Sequence, residues 1–127
     1  MVNLTDVQIG SIVLNMVENV PSYISGTTLW SMVDNEVYFV SQVTGDSIST
    51  SSVGEIYQPA IISLTASSLL RMMEMQGADV SNIRLGDFSI SKGQGSSTFS
   101  TTEKMREDGL LKLEALGTKI NYYKAIA

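Results

Sequence analysis

Histidine and cysteine are both missing from the 127 residues. That removes disulfides, the common zinc ligands and the two side chains most often used as nucleophile or general base near neutral pH. What is left for chemistry is carboxylates, hydroxyls and a few lysines. Gly93-Gln94-Gly95-Ser96-Ser97 invites comparison with phosphate-cradling loops. It lacks both the Gly-Lys-Ser/Thr ending and the third glycine of the dinucleotide fingerprint, so no nucleotide site is expected. The pairs Asp34 with Glu36 and Glu107 with Asp108 are poorly spaced to share one helical face and read as solvated surface. Serine is plentiful, but a serine nucleophile needs a base, and no lysine or carboxylate stands in a recognisable spacing to one. Asp46 and Asp87 lack the alternating acidic ligands of a calcium loop. The expectation is a protein without catalytic residues, metal or cofactor.

The elements that would position any other kind of site are mostly helical. Thr5-Asp6-Val7-Gln8 has capping-box spacing, and Ile9, Ile12, Val13, Met16 and Val17 follow at helical intervals. This predicts a first helix near residues 6 to 18, stopped before Pro21. A second helix is expected after Thr28, with Leu29, Val33, Val37 and Val40 on one stripe and Gly45 just past its end. Trp30 and Tyr38 lie off that stripe and read as core or contact residues. Residues 44 to 54 form a polar loop rich in Ser and Thr, which compete with helix by bonding their own backbone. A third helix runs from near Tyr57 to Gln76, with Pro59 in its first turn and Gly77 as the terminating residue.

Apolar residues surround most of that third helix, from Ile61 and Ile62 to Met72, Met73 and Met75. A helix with so little polar surface needs cover on several sides. In a chain this short, part of the cover is expected from another subunit, which places Ile62, Leu69 and Met73 at a subunit interface; the alternative is a central core helix in a monomer. The methionines read as adaptable packing material. Between residues 82 and 91 the period changes to two: Ile83 and Leu85 alternate in one phase, Phe88 and Ile90 in the other, with Gly86-Asp87 at the switch. That predicts a short hairpin or bulged strand, and Phe88 and Ile90 join the expected interface. Residues 91 to 97 read as a loop. Ser100-Thr101-Thr102-Glu103 repeats the capping-box spacing and opens a fourth helix to about Leu116. Gly109 inside it costs about 1 kcal/mol relative to Ala. The tail from Lys119 to Ile126 is amphipathic and fits a docking strand or a frayed end. The fold expected is a single mainly α domain over residues 1 to 127, a bundle of about four helices with a short β-hairpin or strand before the last.

Apolar residues make up 43% and charged residues 17%, with no run approaching eighteen apolar residues, so no membrane span is expected. The amino terminus shows no basic residue ahead of a hydrophobic block, which fits synthesis inside the cell. The net charge of −5 is unevenly spread. Residues 1 to 70 hold six acids and no Lys or Arg, whereas residues 71 to 127 hold all eight bases against seven acids. The acidic balance argues against a nucleic-acid reader. Opposite potentials on two faces would let identical subunits pack front to back, the contact that closes into rings.

The order of helix, helix, long apolar helix, then Ile83-Arg84-Leu85-Gly86-Asp87-Phe88-Ser89-Ile90-Ser91, a Gly/Ser loop and a closing leucine helix resembles the head-to-tail adaptor proteins of tailed bacteriophages. The likeness spans nearly the whole chain. Its most specific parts are the Ile61 to Met73 segment and the Gly86 to Ile90 strand, which is similar to the short β element between the third and last helices of those adaptors. The family is defined by layout more than by invariant residues.

The resemblance implies a structural virion protein, made in the host cytoplasm, that assembles as a twelvefold ring under the portal of a DNA-filled capsid. There it joins the head to a stopper or tail protein and continues the channel through which genomic DNA passes without sequence-specific binding. It also implies that the loop Lys92, Gly93, Gln94 and Gly95 and the tail Tyr122, Tyr123 and Lys124 dock on neighbouring rings. A base-free first 70 residues suits a channel that repels DNA. The competing reading from another class is a small helical protein-binding or regulatory module whose Met-rich helix forms the groove for a partner helix. A small hydrolase using Ser and Lys is a further alternative.

Overall fold

The computed structural model describes residues 2–17, 20–22, 24–76 and 101–116. Within them the chain forms four helices: α1 (Asp6–Met16), α2 (Gly26–Thr44), α3 (Gln58–Met75) and α4 (Thr101–Glu114). The mainly helical architecture is the one the periodicity predicts. The hairpin or strand expected over residues 82 to 91, with Phe88 and Ile90, lies outside the described residues. So do the loop Lys92 to Gly95 and the tail residues Tyr122, Tyr123 and Lys124. Among the described residues the only extended pairings are the isolated bridges Leu4 with Val53 and Ser49 with Ser52.

Helices α1 and α2 begin where first-turn donors find side-chain partners. The Thr5 side chain accepts from the Gln8 backbone N–H at 3.2 Å, and the Thr5 N–H donates to Gln8 Oε1 at 2.9 Å. This is the capping box read from the sequence. Helix α2 starts earlier than expected, because Ser25, and not Thr28, is the N-cap: its Oγ accepts from the Thr28 N–H at 3.1 Å. Its end matches the expectation, with Gly45 at φ 77, the left-handed region that favours glycine. Pro59 sits in the first turn of α3, where its missing N–H costs nothing.

Helix α3 is the central element and packs against α1, α2 and α4. Two apolar clusters run along it. One joins Val13, Leu29, Met32, Leu69, Leu70, Met73 and Met105. The other joins Ile9, Val33, Val37, Val40, Val53, Ile61, Leu64 and Leu113. The cover that α3 requires is therefore supplied within the chain, which corrects one expectation. Leu69 and Met73 are 0% and 1% exposed, so no surface for a neighbouring subunit remains at either. Ile62 is half-buried and packs against both clusters. Three helices enclose a fourth, and the small polar residues Ser63, Thr65 and Ser67 are buried with it.

The closest approach is between α3 and α4. A side chain at Gly109 would place its Cβ 2.8 Å from Leu64 Cγ and 3.2 Å from the Ala60 carbonyl oxygen. The glycine that weakens α4 as an isolated helix is the residue that lets it dock. Small residues Ala60, Ser63 and Ser67, spaced along one face of α3, receive it. Ser67 Oγ donates to the Thr102 carbonyl at 3.1 Å. Ser63 Oγ donates to Asp108 Oδ2 and accepts from Lys112 Nζ, each at 3.0 Å.

Candidate functional site

Two surfaces gather the side chains that packing leaves unused. The first is the outer seam between α1 and α2. Gly10 of α1 lies against Trp30 of α2, with room for a Cβ only 3.0 Å from Trp30 Cδ1. On α1, Val7 and Leu14 stand two turns apart on the flank beside Gly10, both exposed. On α2, Trp30 meets α1 at Gly10 and is 37% exposed, and Tyr38, two turns further along, is 67% exposed. The seam is an apolar strip within the half of the chain that carries no base. Its carboxyls are Asp6 and Asp34, which face each other across the helix pair. Burial, hydrogen bonding with Asp6 and repulsion by its charge push the Asp34 carboxyl up to about 6. Asp34 is therefore half-buried at a helix contact and is not the freely solvated carboxylate expected from spacing.

The second surface is a cleft of about 420 Å³ between α2 and the carboxyl-terminal half of α3. Met32, Met72 and Met75 form its apolar walls, and Asn35, Arg71 and Gln76 lie at its polar edge. Glu36 and Ser68 also line it. Glu36, expected at the surface, is only 6% exposed. It occupies the core stripe of α2, one turn from Val33 and Val40 and two from Leu29, and the fold supplies partners for it. Its Oε1 accepts from Ser68 Oγ at 3.2 Å and from Arg106 Nη1 of α4 at 3.3 Å. The Arg106 guanidinium stacks 4.9 Å from the Phe39 ring centroid, which holds it over α2. The other carboxylate oxygen, Oε2, is buried without a hydrogen-bond partner.

Of the residues expected in a subunit interface, Leu69 and Met73 are enclosed in the core and Ile62 is half-buried between its two clusters. None of the three lies in the seam or lines the cleft. Reading the sequence missed Glu36, Ser68, Arg71 and Arg106 as one constellation. The available signal was an acid on an apolar stripe, at the position of Glu36, which demands a buried cation. Among the described residues, no group of three or more acidic side chains is placed to hold a metal ion. No described helix is long and apolar enough to cross a membrane. Comparison with protein-family models, curated proteins and solved structures gave no match.

Proposed function

We propose that this chain is a structural assembly protein of the tailed-phage neck, forming a ring under the portal, and that it catalyses no reaction. The observation that carries the reading is the group of exposed apolar side chains on α1 and α2, Val7, Leu14, Trp30 and Tyr38, in a bundle that also leaves Ile56, Met75 and Leu111 exposed. Exposed apolar side chains gathered on one helix pair mark protein contacts, and exposed aromatic residues are frequent anchors of one. The lateral contact is moved from α3 to α1 and α2, while the order of elements that resembles the head-to-tail adaptors supplies the ring and the portal. The loop Lys92 to Gly95 and the tail Tyr122 to Lys124 remain the docking segments toward the stopper or tail protein.

Electron microscopy of the chain mixed with the portal of the phage that encodes it tests the reading. The expected image is a ring at the portal, lost in a Tyr38→Glu variant that melts like the parent. No ring with the parent chain refutes the neck assignment, and a ring with the variant removes Tyr38 from the contact.

The methionine-lined cleft favours a second reading, a small helical module that takes a partner in a groove. Light scattering after size exclusion separates the two on the portal: the module stays a monomer or dimer and does not associate, whereas the adaptor forms a large complex.

A further inference from the structure

We infer that the cleft between α2 and α3 binds a small zwitterion with an aliphatic body, the class of an apolar α-amino acid. This does not rest on the ring reading. Glu36 is 6% exposed, lines the cleft and keeps one carboxylate oxygen, Oε2, without a donor. A buried acceptor left unfilled is costly, and a charged donor satisfies it best. Arg71 stands one turn beyond Ser68 on α3, lines the same cleft and is exposed. Its planar fork suits a carboxylate. Met32, Met72 and Met75 supply the apolar wall, and Met75 is 82% exposed, an apolar side chain left in water at the mouth.

Charge selects among the ligand classes. Arg106 already offsets Glu36, so a simple cation would add a third positive group beside two guanidiniums. A simple anion could pair with Arg71 but would leave Oε2 unfilled. An ammonium and a carboxylate on one aliphatic carbon skeleton answer both ends at once. The volume of about 420 Å³ suits a ligand of this size. Oε2 lies beneath the surface, so entry requires a methionine side chain to swing aside, which its three rotatable bonds permit.

The test is an amide chemical-shift titration of the full chain with L-leucine, with n-butylammonium and with isovalerate. Leucine is expected to shift the amides of Met32, Ser68, Met72 and Met75 saturably, and each half-ligand to bind at least about tenfold more weakly. Arg71→Ala, at an exposed position outside the core, is expected to keep the parent spectrum elsewhere and to weaken leucine about tenfold, to the level of the amine. The inference is overturned if leucine gives no saturable shift, if n-butylammonium or isovalerate alone binds as tightly, or if Arg71→Ala binds leucine like the parent.

Discussion

Two acidic side chains two residues apart on α2 behave in opposite ways, and the difference lies in what each one faces. Glu36 meets a guanidinium and a hydroxyl. Asp34 meets another carboxyl and is raised to about 6 from its ordinary value of 3.8. A raised carboxyl binds its proton more tightly in the folded state, so its contribution to stability is full below the ordinary value and is lost as pH rises through about 6. Asp34→Asn is therefore expected to raise the melting temperature above that window and to leave it nearly unchanged below it, which thermal melts across the pH range will show. For Glu36, removing Arg106 leaves a buried charge without its ion pair. Arg106→Ala is expected to cost about 3 kcal/mol, less whatever solvent screening the partly exposed guanidinium already has. The double variant Glu36→Met with Arg106→Met should recover most of it, and a double-mutant cycle by chemical denaturation measures both. None of this was legible from spacing alone, because the partners come from other helices: Asp6 from α1, Ser68 from α3 and Arg106, seventy residues away, from α4.

At the scale of the element, the helices could be read in the sequence because local signals agree with the packing: a capping box at Thr5 and Gln8, a glycine at position 45, a proline at position 59. The start of α2 differs from the expected one by three residues because Ser25 and Thr28 are both competent caps, and only the path of the chain decides between them. Gly109 shows the limit of propensity. Gly109→Ala improves the isolated helix by about 1 kcal/mol but drives a methyl group to 2.8 Å from Leu64 Cγ. Overpacking of this kind costs about 1 to 3 kcal/mol, so a net loss of stability is expected in denaturant melts. Leu64→Ala in the same chain should relieve the clash while adding a cavity cost of its own. If Gly109→Ala is more stable than the parent, α3 and α4 do not meet as closely as described.

For the whole molecule, the question is which apolar surface the bundle hides and which it leaves out. Composition and periodicity made α3 the apparent source of excess surface, yet three helices suffice to enclose it: Gly109 brings α4 in close against it, and Gly10 brings α1 in close against α2. Exposed apolar side chains remain on the seam and, outside it, at Ile56, Met75 and Leu111. Two substitutions separate these surfaces. Leu69→Asp, in the core, is expected to unfold the chain or cost several kcal/mol, about 4. Tyr38→Glu, on the seam, is expected to leave the melt within about 0.5 kcal/mol of the parent while abolishing the assembly proposed above.

One small junction gives the first half of the chain a property of its own. The Gln58 side-chain amide donates to the carbonyls of Val2 at 2.8 Å and Val53 at 3.0 Å. Leu4 and Val53 also exchange backbone hydrogen bonds at 3.1 and 2.7 Å. The stretch from Val2 to Gln58 is thus buckled shut at the base of α3. Shaving off residues 2 to 4 would undo the buckle along with the few atoms removed, exposing Val53 and slackening α1 and α3 together. During synthesis, the same buckle cannot fasten until residue 58 has emerged.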